Sequence, residues 1–216
     1  MIEASARDEL VAALSGRIAL LVIDMQRDYC LPGGVIDALG HDTSHFASVG
    51  ARLGEFLSRN RGAFDLVAFA RTVFPSWPLS RALTAHYART ALRRVRTPEL
   101  ADWFAVQPEV GDFVVDKFRY SAFADTGLDA MLRAARIDTI VACGATTDVC
   151  VDTTVRDAFM RDYSVVILSD CSGGSTPARH ANALDVLDGF FARVHTSVEV
   201  EGALAARSDS RATRKC

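Results

Sequence analysis

The chain has 216 residues, with 24 Lys and Arg against 27 Asp and Glu, a net charge of −3 and 50% hydrophobic content, the profile of a folded chain, not a disordered one. That balance gives no electrostatic case for a nucleic-acid backbone or an anionic membrane as partner, which leaves a small molecule. No apolar run approaches the roughly 18 residues of a membrane span. The opening residues, MIEASARDELVAALSG, carry acids where a secretory signal carries a basic start, so a cytoplasmic location is expected.

In chain order, the first strand is expected over residues 18–24 (IALLVID), followed by an amphipathic helix over 44–60 and a second strand over 64–72. A long excursion, 74–111, then holds Pro75, Pro78, Pro98, Pro108, both tryptophans and the basic run ALRRVR. It reads as a solvated helix with coil on the sheet edge, and also as a cap over a substrate pocket, because loops this long tend to be functional. Strands are expected over 112–117, 139–144, 164–170 and 192–198, alternating with helices over 126–136, 148–161 and 176–190. All six strands are nearly continuous in apolar character, which predicts burial on both faces. The alternation predicts an α/β fold: a three-layer αβα sandwich on a six-stranded, mostly parallel sheet with right-handed crossovers, of order 3-2-1-4-5-6 by fold habit. One domain is expected over residues 1–206, with a frayed tail over 207–216. The pairs Gly33–Gly34 and Gly173–Gly174 read as turns with positive φ.

In such a sheet the ligand binds beyond the carboxyl ends of the strands, where the strand order reverses. There the first strand ends in Asp24 and the third in Lys117, and the fourth runs through GATTDVC into a helix with Cys150 in its first turn. A thiol at a helix N-terminus is expected to favour thiolate, with Asp148 as N-cap. Asp24 is placed to take the thiol proton, and Lys117 to keep Asp24 ionised. The five cysteines contain no CxxC pair and the five histidines show no metal-ligand spacing, so neither a disulfide framework nor a metal site is implied. Cys30, Cys143, Cys171 and Cys216 read as bystanders. No GxGxxG or GxxxxGK[ST] motif is present, and no cofactor is expected.

The segments LLVIDMQRDYCLPGG, DKFRYSAF and CGATTDVCVDTTVRDAFMRDYSVVILSD, in that order, resemble the isochorismatase-like cysteine hydrolase superfamily from about Arg17 to Val200. The resemblance implies an Asp24–Lys117–Cys150 triad, a non-proline cis peptide before Thr146, and an oxyanion hole of the backbone N–H groups of Thr146 and Cys150. Superfamily members that hydrolyse nicotinamide carry an Asp-x-His metal site after the second strand. This chain has ARTVFPSWP there, so no catalytic metal is expected.

Relatives that cleave a vinyl ether usually lack the cysteine, and Cys150 therefore favours C–N hydrolysis. The closest likeness is to the ureide branch, the N-carbamoylsarcosine, ureidoacrylate and biuret amidohydrolases, which release ammonia from a carbamoyl or amide group. Tyr120, Tyr29, Trp77 and Arg119 are the candidate substrate contacts, Arg119 for a substrate carboxylate. A homo-oligomer, dimer or tetramer, is expected from the same relatives. Three rivals are a vinyl ether hydrolase, a catalytically silent binding protein, and a phosphoacceptor receiver domain. The receiver would need its lysine after the fifth strand, and this lysine follows the third.

Overall fold

The computed structural model describes residues 6–73, 80–90 and 99–213. Six strands, β1 (Ile18–Ile23), β2 (Leu66–Thr72), β3 (Phe113–Lys117), β4 (Thr139–Ala145), β5 (Ser164–Gly173) and β6 (Arg193–His195), form one sheet of order β3-β2-β1-β4-β5-β6. Every strand pair is parallel. The helices of the main layers are α1 (Ala6–Ala13), α4 (Phe46–Asn60), α6 (Leu128–Ala134), α7 (Asp152–Phe159), α8 (Pro177–Phe190) and α9 (Ser197–Thr213). Short helices α2 (Arg27–Cys30) and α3 (Val35–Ala38) follow β1, and α5 (Arg81–Arg89) lies in the excursion.

The period of two along each strand divides the core between two faces. Leu20, Val22, Phe69, Val141, Cys143 and Val166 pack with Leu10, Phe46, Leu53, Phe56 and Leu204 of α1, α4 and α9. Ala19, Leu21, Ile23, Ala68, Ala70 and Ile140 face Leu128, Leu132, Val155 and Leu187 of α6, α7 and α8. Helix α4 shows why it forms: its buried Phe46, Val49, Gly50, Leu53, Phe56, Leu57 and Asn60 recur every three or four residues, one stripe of a 3.6-residue helix.

Burial on both faces holds for β1 and β4, which are buried at every position. It fails for the edge strands. Val114 and Asp116 of β3 are exposed, and β6 is a three-residue strand with no fully buried position. An edge strand has a neighbour on one side only, and its outer face borders solvent. At the start of the tail, α9 runs on to Thr213, and Arg207 is buried and hydrogen-bonded to the carbonyls of Ala63 and Gly16 and to Asp65. Of the glycine pairs, only Gly33 has positive φ. Gly34, Gly173 and Gly174 instead allow close approach, since a side chain there would meet the Asp28 carbonyl, the Phe46 ring and His180.

The excursion returns along the loop that follows β1. Arg27 and Asp28 donate backbone hydrogen bonds to Asp102 and Leu100, Phe104 donates to Met25, and Gln26 bridges antiparallel to Trp103. Trp103 packs edge-on against Phe69, within its own chain's core. The basic run ALRRVR and Trp77 lie outside the described residues.

Candidate active site

The ends of four adjacent strands meet at one edge. Ile23 pairs with Ala70 on one side and Gly144 on the other, and Thr72 pairs with Lys117. The β1–β4 approach is close enough that a Cβ on Gly144, whose φ is +124°, would strike the Ile23 carbonyl. Asp24 leaves β1 in the left-handed region, φ 48°, which the short polar side chain of Asp tolerates better than most. Its N–H donates to the Ala70 carbonyl, and its carbonyl accepts from Gln26. The turn is thus tied to β2 by one bond and closed on itself by the other.

Asp24 and Lys117 are both fully buried, with Nζ 2.6 Å from Oδ2. Nζ also donates to Thr72 Oγ1 at 2.9 Å and to the Arg119 carbonyl at 3.1 Å. Burial lowers the Lys117 pKa, but the adjacent Asp24 and Cys150 outweigh it and hold the ammonium above its ordinary value. Cys150, 3% exposed, interacts with both side chains. The peptide bond between Ala145 and Thr146 is cis.

The surroundings of Cys150 disfavour a resting thiolate. Burial first, and then the Asp24 carboxylate, push the Cys150 thiol well up, and Lys117 pulls it down less strongly. Cys150 sits in a π-helical turn, Thr147–Val151, ahead of α7, not in the first turn of a regular helix. Desolvation therefore wins over any terminal dipole. Asp148 is not the N-cap either. It accepts from the backbone N–H and the hydroxyl of Ser175, on the loop that leads into α8.

Cys150 and Thr146 line a cavity of about 100 Å³ with Tyr29, Tyr120, Tyr87 and Arg179. This is far below the roughly 300–1,000 Å³ of sites for drug-sized ligands, so it suits a compact molecule. Tyr29 and Tyr120 both line this cavity. Arg119 does not: its guanidinium faces the Phe118 carbonyl and lies 3.9 Å from Asp125, and only its backbone carbonyl reaches the site. Two cavity residues that carry polar groups, Arg179 and Tyr87, were missed. Arg179 opens α8, a stretch read only as an amphipathic helix, and its Nη1 donates to Ser175 Oγ at 3.2 Å. Tyr87 arrives from α5, so the excursion reaches the cavity as a cap would, while its Trp103 packs on Phe69 of β2. Thr72 and Gln26, which hold the triad's strand ends, were missed as well.

Cys30, Cys143 and Cys171 are buried free thiols, and burial pushes each of them up. Among the described residues no group of three or more His, Cys, Asp or Glu side chains is placed to hold a metal ion. No helix among the described residues is long and apolar enough to cross a membrane.

Residues 18–199 match the family model of the isochorismatase domain. The chain is 34% identical to the ureidoacrylate amidohydrolase RutB of Methylorubrum extorquens, with 93% of this chain and 88% of that protein covered. It is also 34% identical to RutB of Serratia proteamaculans, covering 86% and 82%. A cysteine hydrolase from Pseudomonas syringae pv. phaseolicola superposes with a TM-score of 0.74 at 29% identity, covering 90% of this chain and 94% of that one.

Proposed function

The chain belongs to the isochorismatase family of hydrolases, and from that premise we propose that it is a cysteine-dependent amidohydrolase of small ureido or carbamoyl acids, releasing ammonia. The observation that carries this reading is the convergence of buried Asp24 and Lys117 on Cys150, which lines a small cavity. A neutral thiol beside a buried carboxylate is a nucleophile with its own base.

The carbonyl of the substrate sits over Cys150 Sγ. As sulfur attacks, the S–H proton passes to Asp24, and the carbonyl oxygen takes the negative charge within reach of the backbone N–H groups of Thr146 and Cys150. Two such donors contribute roughly 3–4 kcal/mol each in other hydrolases. Asp24 returns the proton to the leaving nitrogen, ammonia departs, and a thioester or thiocarbamate remains on Cys150. Water, deprotonated by Asp24, then hydrolyses it and restores the thiol. Lys117 keeps Asp24 anionic between the two transfers.

Arg179 at the cavity wall supplies the positive charge that a carboxylate-bearing substrate needs, with Tyr29, Tyr87 and Tyr120 around it. The names of the RutB relatives support a ureido acid. A homo-oligomer, dimer or tetramer, in the cytoplasm belongs to the same reading, and light scattering measures the assembly. The decisive experiment offers purified protein N-carbamoyl acids, biuret and simple amides while ammonia is monitored, with and without exhaustive chelation. Turnover that survives chelation is expected. No turnover across the panel, with Cys150 unreactive to electrophiles, overturns the reading.

A further inference from the structure

One polar side chain outside the triad touches two of its members. Thr72 closes β2 in register with Lys117. Its hydroxyl accepts from Lys117 Nζ at 2.9 Å and donates to Asp24 Oδ1 at 3.1 Å. A hydroxyl has a single hydrogen, and the polarity here runs one way, from ammonium to hydroxyl to carboxylate.

The position of Thr72 is itself clamped. Gln26, 1% exposed, accepts the Thr72 N–H through Oε1 at 2.8 Å and donates to the Thr72 carbonyl through Nε2 at 3.1 Å. The same Nε2 holds the Ala101 carbonyl of the returning excursion at 2.7 Å. One buried amide thus joins the cap segment to the strand end that carries Thr72.

The two oxygens of Asp24 are consequently unequal. Oδ1 is engaged by Thr72, whereas Oδ2 has its ion-pair contact with Nζ and no aligned hydrogen bond. We infer that Thr72 is a positioning residue that determines which oxygen is the base: with Oδ1 held, Oδ2 takes the Cys150 proton. The S–H bond breaks, an O–H bond forms on Oδ2, and the products are a thiolate beside the Lys117 ammonium and a neutral carboxyl. Without the hydroxyl the carboxylate is free to turn about its soft terminal torsion, and Nζ loses one of its acceptors. The link from this step to turnover rests on the amidohydrolase reading, but the step itself does not.

The test measures alkylation of Cys150 by iodoacetamide, resolved by peptide mass spectrometry, together with ammonia release from N-carbamoyl acids. Thr72→Val keeps the side-chain shape and removes the hydroxyl. Alkylation and kcat are expected to fall together by about tenfold or more, the scale of a misplaced general base. KM should stay within about twofold, because Thr72 is not among the residues lining the cavity. Thr72→Ser should restore both rates to within about threefold. Equal rates in wild type and Thr72→Val, or a raised KM at unchanged kcat, overturn the inference. If Thr72→Val does not fold, Thr72→Ala against Thr72→Ser makes the same comparison, and equal rates there overturn it. Failure of the wild type on every substrate refutes the amidohydrolase reading alone, since the alkylation rates still decide the role of Thr72.

Discussion

Lys117 Nζ stands 2.6 Å from Asp24 Oδ2 with both side chains at zero exposure, so each charge is compensated chiefly by the other. Removing one member of such a pair leaves a buried charge without a counterion, which costs about 3–5 kcal/mol. Lys117→Met is therefore expected to lower thermal stability by that order and to abolish turnover. Lys117→Arg should not restore activity, because a planar guanidinium cannot place one donor where a compact ammonium sits in a fully packed site. Calorimetry with the ammonia assay checks both.

The raised thiol of Cys150 makes a prediction opposite to that for a helix-terminal thiolate. Iodoacetamide should modify Cys150 slowly at neutral pH, and the rate should keep climbing as pH rises beyond the ordinary thiol range, because burial and Asp24 disfavour the anion. A rate that levels off below pH 7 contradicts the geometry. Cys150→Ala should leave the melting temperature close to wild type and remove turnover by at least about a thousandfold.

Arg179 lies at an exposed position and lines the cavity. Arg179→Gln should raise KM for carboxylate-bearing ureides by about tenfold or more, the loss of one charged hydrogen bond, with kcat little changed. Uncharged amides should be indifferent to it. Steady-state kinetics on matched acid and amide substrates separates the two, and a uniform loss across both sets would deny Arg179 the carboxylate role.

Asp65 accepts from the Ile18 N–H at the start of β1 and pairs with Arg17 and buried Arg207. Burial works to raise its carboxyl, but the Ile18 hydrogen bond and the Arg207 and Arg17 charges outweigh it, and the folded pKa lies below its ordinary value. A depressed folded pKa means stabilisation that is present above the unfolded pKa and lost as pH falls through the folded one. Asp65→Asn should therefore lower stability at pH 7, and the gap to wild type should close as pH falls below the ordinary carboxyl range. Denaturant midpoints across that range measure it.

The layers were legible in the linear chain, whereas the strand order came from fold habit and the triad from the family resemblance. Apolar runs are local, and Asp24 and Lys117 became candidates from their positions at strand ends, Cys150 from its place in the turn after β4. Arg119 and Arg179 show where local reading stops. Both are arginines beside site elements, but only the fold turns one toward Asp125 and the other into the cavity. The protonation of Cys150 was beyond the sequence for a different reason: desolvation depends on everything packed around the sulfur, from strands and helices far apart in the chain. Thr72 and Gln26 became functional candidates only when parallel pairing set β2 between β1 and β3. Strand-end chemistry is written in consecutive residues, whereas charge state, proton direction and pocket lining arise from contacts that exist only once the sheet has closed.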